Sequence, residues 1–391
     1  LTVHQLMFGL RNPLADIPMA FLATLGDAAV LAPAVVAVFA WLLWRRRQVA
    51  AWHWLAAPAF ALLLTWLLGY LLDMPKPPAS TAVPGFSFPS APVTLATVVY
   101  GFFAVLIARE LPGRNRAWPY VVAALVVGLL GFSRLYLGAH WLSDVLAGTL
   151  LGLLWIAALG IAYRRRVLRS FWVRPIATVF FVAVLGLATW HGSRQADDTL
   201  ARFDPPHTPA PLALDAWWGD DWQAALPARR NELHGRDAWP LNVQYAGRLD
   251  ALRARLLLAG WQDYDTGGWE GLLQTMDKDA TPLDLPVLPA THQGRAESLV
   301  MVRREPGGGV MKVLRLWHAP VVLEPGGLPL WIGSVHRLEF AQRFDFFSYW
   351  RVLPGEDELL EPLRTDLGDL DSALESRRDD QQPVLRARPR P

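Results

Sequence analysis

The chain lacks cysteine entirely and carries few charges, and acidic residues are almost missing from its first half. Without cysteine, disulfides, thiolate metal sites and cysteine nucleophiles are all excluded. Charged residues make up only 18% of the 391, apolar residues make up 53%, and the mean hydropathy is +0.22. That balance fits neither intrinsic disorder nor an ordinary soluble enzyme, and it points to a membrane protein. Residues 1–193 hold 14 Lys/Arg and 5 Asp/Glu, against 23 and 30 in residues 194–391, so the halves carry +9 and −7.

Crossing a bilayer takes about 20 apolar residues, because the hydrocarbon core is roughly 30 Å thick and a helix rises about 1.5 Å per residue. Six segments free of Asp, Glu, Lys and Arg qualify: 28–44, 48–72, 77–108, 117–133, 145–163 and 175–193. The Pro- and Ser-rich front of the third, 77–90, reads as a loop. Clusters at Arg45–Arg47, at Arg109, Arg114 and Arg116, and at Arg164–Arg166 with Arg169 follow alternate spans. Positive residues in short loops stay on the cytoplasmic side, so these clusters share one face. The loops 73–90 and 134–144, and everything after the sixth span, are then expected on the outer face. Trp41, Trp44, Trp52, Trp118, Trp172 and Trp190 lie near span ends, as interfacial anchors do.

The organisation expected is a transmembrane domain over 1–193, a proline-rich linker over 194–212 with Pro205, Pro206, Pro209 and Pro211, a soluble α+β domain over 213–370, and a charged, disordered tail over 371–391. Within 213–370, Leu249–Leu258 and Trp269–Met276 have helical character. Ser298–Arg303 and Val310–Trp317 flank Pro306-Gly307-Gly308-Gly309 as a hairpin, and Leu330–Val335 is a third strand. The nine tryptophans between Trp217 and Trp350 are expected mostly in the core. His292, His318 and His336 are widely spaced, as structural histidines rather than metal ligands.

The stretch that carries chemistry is Ser133-Arg134-Leu135-Tyr136-Leu137-Gly138-Ala139-His140-Trp141-Leu142-Ser143-Asp144, where an outward loop enters the fifth span. His140 and Asp144 are four apart, so a helix beginning near His140 puts both on one face. A carboxylate on one ring nitrogen fixes the tautomer and leaves the other nitrogen as base or nucleophile. Arg134 supplies a planar cation suited to a phosphoryl group.

Ser-Arg-x5-His-x3-Asp resembles the third signature of the type 2 phosphatidic acid phosphatase (PAP2) family of lipid phosphatases, and Phe88-Pro89-Ser90 resembles the start of its second, Pro-Ser-Gly-His. The resemblance implies an all-α bundle of six transmembrane helices. It also implies a phosphohistidine formed on His140, orientation of that histidine by Asp144, and phosphate contacts from Arg134, Lys76 and Ser90, with no metal or other cofactor. The departures are specific. Ala91-Pro92 stands where the second signature continues Gly-His, so the family's leaving-group acid is missing, and Pro92 cannot replace it. Around Lys76 only one cation of the first signature, Lys-x6-Arg-Pro, survives. General-acid help is worth about 10²–10⁴-fold and matters most for a basic leaving group. A diphosphate substrate is therefore expected over a monoester, or a substitute donor such as Asp73, Tyr136 or His4. The alternative is a catalytically inactive protein that binds or scaffolds lipid phosphates.

Residues Leu241–Gly247, Leu314–Trp317 and Pro329–Val335 resemble the LssY carboxy-terminal domain that often follows PAP2 modules. The partners implied are the bilayer and a membrane lipid phosphate such as a prenyl diphosphate. The acidic second half gives no reason to expect nucleic acid. A DedA-like membrane domain ahead of Leu1 is a further expectation of that resemblance. The place implied is a bacterial inner membrane, crossed several times, with the second domain periplasmic.

Overall fold

The computed structural model describes residues 2–390 apart from 82, 167–172, 205–208, 220, 231–238, 265, 267, 278, 344–346 and 380; the side chains of residues 2, 5, 8, 164–166, 173 and 269 also lie outside it. The cation cluster read at 164–169, Trp172, Pro205 and Pro206 thus fall outside the described residues or side chains. The chain divides into two compact units that part near Pro206.

Among the described residues the regular structure of the first unit is all helical. Short α1 (Thr2–Leu10) and α2 (Pro13–Thr24) precede α3 (Ala28–Trp44), α4 (Gln48–Leu72), α5 (Ala91–Glu110), α6 (Trp118–Tyr136), α7 (Leu142–Arg166) and α8 (Val173–Arg202). Six stretches are long and apolar enough to cross a membrane, and the first joins α2 and α3 across a break at Gly26-Asp27. Sequence alone starts that span at 28 and misses both α1 and α2. It also ends the last span at 193, whereas α8 continues for nine more residues to Arg202, mostly polar and including good helix formers. Helix α5 is the axis of the bundle: 83% of its apolar window is buried, against 28–44% in the other spans. Trp54, Phe102, Phe103 and Phe180 stack at its core. A helix apolar all round must be surrounded by other helices or by lipid, and α5 takes the first solution.

The second unit is α+β, as its patterning implies. It holds β1 (Ala210–Ala213), α9 (Leu214–Trp218), α10 (Trp222–Ala225), β2 (Val243–Ala246), α11 (Leu249–Leu258), β3 (Gln262–Asp263), α12 (Trp269–Gln274), β4 (Thr291–His292), β5 (Arg295–Ala296), β6 (Leu299–Arg304), β7 (Val310–Glu324), β8 (Leu328–Arg343), β9 (Phe347–Leu353), α13 (Leu360–Asp366), β10 (Asp371–Ser376) and β11 (Pro383–Arg388). Strands run β10-β11-β2-β8-β7-β6-β3 across the main sheet, with β9 on β8 and β1 parallel to β7. The hairpin turn puts Gly307 and Gly308 at φ +97° and +73°, where a side chain would be strained.

One face of this sheet is apolar and is covered by α11 and α13 through Leu252, Leu256, Leu360 and Leu363. The other holds two apolar clusters, around Trp217, Trp222 and Trp317 and around Val300, Val313 and Leu338. The tryptophans at 217, 222, 261 and 317 are core residues, while the side chain of Trp269 lies outside the description.

Two expectations need correction. The tail is not disordered: β10 and β11 pair antiparallel, and β11 adds in parallel to β2. Val384, Leu385 and Ala387 are buried there, and Arg386 and Arg388 are stacked on tryptophans and paired with carboxylates. Arg386 is wholly buried over Trp222, bonded to the carbonyls of Trp217 and Gly219 and paired with Glu375. Nor is 194–212 a linker throughout, since α8 runs to Arg202 and residues 210–213 form β1.

Candidate functional site

The site residues come from two loops and the helices that follow them. Helix α6 ends at Tyr136 with Leu137 as its C-cap, and Gly138 then takes a left-handed φ of +69°. The Ala139 amide returns to the Arg134 carbonyl (3.0 Å) and the Gly138 amide to Leu135 (3.0 Å), the paired bonds of a Schellman end. This reversal needs glycine, and it delivers His140 just before α7 begins at Leu142. Asp144 lies in the first turn of α7, where a carboxylate faces the positive helix end. Helices α5 and α7 approach closely at Gly148, where an added Cβ would stand 2.9 Å from the Ser90 carbonyl oxygen. That proximity lets the Ser90 amide donate to the Asp144 carbonyl at 3.1 Å.

The structure brings His140 and Asp144 together, through an intermediary that sequence reasoning did not name. Asp144 Oδ2 accepts from Ser87 Oγ at 2.6 Å and from the Trp141 amide at 3.0 Å, and Oδ1 accepts from Ser143 Oγ at 3.1 Å. His140 Nδ1 lies 3.1 Å from the Ser87 carbonyl oxygen and 3.8 Å from Asp144 Oδ2. The closer contact is therefore the backbone oxygen, and the carboxylate contributes mainly charge. With the proton on Nδ1 donated to Ser87, as this network assigns it, Nε2 carries the lone pair. Ser87 thus holds both partners, the imidazole by its carbonyl and the carboxylate by its hydroxyl. Burial holds the His140 imidazole below its ordinary range; Asp144 opposes this and Arg134 adds to it. The ring is neutral at pH 7.

Arg134 is buried, and its Nη2 donates to Asp27 Oδ1 at 2.6 Å and to the Ala23 carbonyl at 2.8 Å. Its Nε is buried with no partner among the described residues. Asp27, at the break between α2 and α3, also lies 3.9 Å from His191 Nε2. Sequence reasoning missed it, although a lone carboxylate at the edge of a long apolar run is itself a signal. Ser90 is fully buried at the start of α5, and its Oγ has no partner among the described residues. Lys76 stands apart. Its Nζ donates to the Val83 carbonyl, and among the described residues it makes no hydrogen bond or ion pair with His140, Asp144 or Arg134. The loops are tied at Trp141, whose indole donates to the Pro75 carbonyl at 2.9 Å.

The three substitute donors separate clearly. Tyr136 is bonded to Asp16 at 2.8 Å, and Asp73 caps α4 in a left-handed conformation. His4 packs on Trp141, ring centres 5.0 Å apart, and lines the same cavity as His140. That cavity measures about 490 Å³ and is lined also by Met7, Leu135, Leu142 and Ser143. Leu135 also lines an apolar groove of about 840 Å³, floored by Thr97, Gly101 and Val105 of α5 and walled by α6 and α7. The two cavities share Leu135 in their lining.

Family models match this chain twice: the PAP2 superfamily over residues 72–168 and the LssY C-terminus over 223–343. Phosphatidylglycerophosphatase B of Bacillus subtilis (strain 168) is 30% identical over 149 residues, covering 37% of this chain and 73% of that protein. Among solved structures, the transmembrane PAP2 type phosphatidylglycerolphosphate phosphatase from Bacillus subtilis aligns with a TM-score of 0.40 at 27% identity, over 43% of this chain and 85% of that one. LpxE of Aquifex aeolicus aligns with a TM-score of 0.31 at 22% identity, over 42% and 94%. The chain belongs to the PAP2 superfamily of membrane phosphatases, with an LssY C-terminal region following its helical bundle.

Proposed function

We propose that this protein cleaves a lipid phosphate or diphosphate through a phosphohistidine on His140. One observation carries the reading: a neutral imidazole, fixed at Nδ1 by the Ser87 carbonyl, opens with His4 onto a cavity that shares Leu135 with a lipid-facing groove. Nε2 attacks phosphorus, the P–O bond to the leaving group breaks, and water then hydrolyses the P–N bond to release phosphate and the free imidazole. Asp144 stabilises the imidazole as it gains positive character. The Ser90 hydroxyl and Arg134 Nε are the buried donors suited to the phosphoryl oxygens. Lys76 would join them once released from Val83.

Pro92 in place of an acid favours a good leaving group, so a lipid diphosphate such as a prenyl diphosphate is the preferred substrate class. A monoester such as phosphatidylglycerol phosphate, the substrate in the name of the Bacillus subtilis relative, is the comparison. His4 is the substitute donor the cavity favours. The arginines at 45–47 and at 109, 114 and 116 support an orientation that puts these loops and the second unit on the outer, periplasmic face of a bacterial inner membrane.

The second reading is a non-catalytic lipid-phosphate binder. It is favoured by one specific observation, the Arg134–Asp27 pair, which neutralises a cation wanted for the phosphoryl group. Phosphate release from lipid mono- and diphosphates by wild-type protein and His140→Ala decides between them. Release lost in the variant supports the enzyme. No release from any lipid, with binding indifferent to His140, supports the binder.

A further inference from the structure

The second unit has its own buried polar seam, on the sheet face opposite the one that α11 and α13 cover. Arg315 on β7 and Ser334 on β8 are cross-strand partners, and His336 lies two residues beyond Ser334 on the same face. All three are at least 96% buried. The seam separates the two apolar clusters of that face, so its polar atoms lie where water is largely excluded. Trp239 covers it, with His336 4.7 Å from its ring centre and the Arg230 and Arg315 guanidiniums at 4.2 and 5.3 Å.

Its hydrogen-bonding inventory is lopsided. Arg315 is held by the Glu297 carboxylate and the Leu288 carbonyl at 3.0 Å. Asn242 uses its Oδ1 to accept the Val335 amide at 3.2 Å, which sets its amide beside the backbone between Ser334 and His336. The groups left over are the Asn242 Nδ2, the Ser334 Oγ and the ring nitrogens of His336, none of which has a hydrogen-bond partner among the described residues. Glu356 Oε1 is 3.6 Å from His336 Nδ1, too far for a hydrogen bond and near enough to orient the ring. Asn Nδ2 can only donate, a hydroxyl and a neutral imidazole can each donate once, and guanidiniums donate only. Buried polar groups in native proteins are satisfied in the great majority, so adjacent leftovers call for a common partner. Such a set suits a ligand made of acceptors, and it disfavours a metal cation.

Charges of both signs reach the seam, and at His336 the Glu356 carboxylate outweighs either arginine. Burial holds His336 below its ordinary range despite Glu356, and Arg315 and Arg230 push the same way. His292, at the edge of the cluster, is lowered to about 4 by burial and Arg230. Guanidinium charge is thus felt at both rings in spite of Glu297.

We propose that this seam is a second ligand site that takes an oxyanion of the phosphate class, bound by the Ser334 hydroxyl, the Asn242 amide and the His336 ring N–H beneath Trp239. The phosphate group could come free in solution or on a lipid headgroup. The site does not depend on hydrolysis at His140.

The full chain carrying His140→Ala, in phosphatidylcholine nanodiscs, is titrated with radiolabelled inorganic phosphate; a second series replaces a tenth of the lipid with phosphatidic acid and reads displacement of that phosphate. Saturable binding that weakens at least tenfold in Ser334→Ala and His336→Gln is expected. Displacement by phosphatidic acid assigns the lipid headgroup as source, and its absence assigns the free anion. Ser334→Ala also separates ligand binding from structure: removing an unpartnered buried hydroxyl should leave or raise the thermal midpoint of the second unit while phosphate affinity falls. Should His336→Gln not fold, Trp239→Leu at the rim replaces it, with the same tenfold loss expected. No saturable phosphate binding, or binding unchanged in these variants, overturns the proposal, as does a Ser334→Ala protein that loses stability and keeps its affinity.

Discussion

Two histidines, one in each unit, lie beside a carboxylate and within the field of an arginine, yet they are held very differently. His140 has its Nδ1 on a backbone carbonyl at 3.1 Å, and its carboxylate partner accepts from two serines and an amide. His336 faces Glu356 across 3.6 Å, and neither ring nitrogen has a hydrogen-bond partner among the described residues. The first imidazole is oriented before any ligand arrives, as a nucleophile must be for its attack to be productive. The second retains its hydrogen-bonding capacity, which suits a binding group. The difference traces to local structure. A Schellman end and a helix N-terminus surround His140 with fixed backbone groups, whereas His336 stands on a strand whose amides and carbonyls are used in the ladder.

The largest test of this contrast is His140→Ala, for which phosphate release should fall by at least about 10³-fold, as for loss of a nucleophile. Release that persists would remove the distinction between an oriented nucleophile and a ligand site.

Acid should then separate the two units. The His292 imidazole titrates at about 4 in the folded protein and near the ordinary 6.5 when unfolded. The unfolded chain takes up its proton first. The stability of the second unit is therefore full above pH 6.5 and is lost as pH falls towards 4, by about 3 kcal/mol from this group. Denaturant melts of the strand-rich unit at both ends of that window measure it. A flat profile would mean that the histidine is hydrated rather than buried against Arg230.

Ser87→Ala comes next. It keeps the carbonyl on His140 and removes the hydroxyl from Asp144, so the carboxylate turns and the imidazole loses part of its charge support. Turnover should drop about 10²-fold with little change in KM, the size of effect that misplacement by about an ångström produces. An unchanged kcat would show that Asp144 needs only the Trp141 amide and Ser143.

How much of this was legible in the sequence differs between the units for physical reasons. The six spans follow from length and apolarity alone, because a bilayer demands both. The nearness of His140 to Asp144 follows from spacing, but the closer partner of the ring, the Ser87 carbonyl, does not. Asp27 does not, because its significance lies in an arginine 107 residues away. Ser87 was within reach, three residues ahead of Ser90, but a serine in a loop carries no pattern of its own. In the second unit the hairpin, α11 and the Leu330–Val335 part of β8 follow from alternation and turn chemistry, whereas the extension of β8 to Arg343 does not. The final strand was hidden, since Arg386 and Arg388 read as solvent-facing until their stacking on Trp222 and Trp218 and their pairing with Glu375 and Asp371 are seen. A buried arginine interrupts the apolar alternation that marks a strand.

The smallest effect belongs to His4. If it donates the leaving-group proton, His4→Gln should cost about tenfold in kcat on a lipid monoester and less on a diphosphate, whose phosphate leaving group needs the proton less; this lies below the usual general-acid range of about 10²–10⁴ because the ring is seldom charged. Burial lowers His4 from its ordinary value, so only a small fraction is protonated at neutral pH and that fraction grows as pH falls. The wild-type advantage should therefore be larger at about pH 5.5 than at about pH 7.5. His140 is also held low, so it stays competent as nucleophile over the upper part of that window, and the comparison reads the donor. A ratio independent of both pH and leaving group would reduce His4 to a packing partner of Trp141.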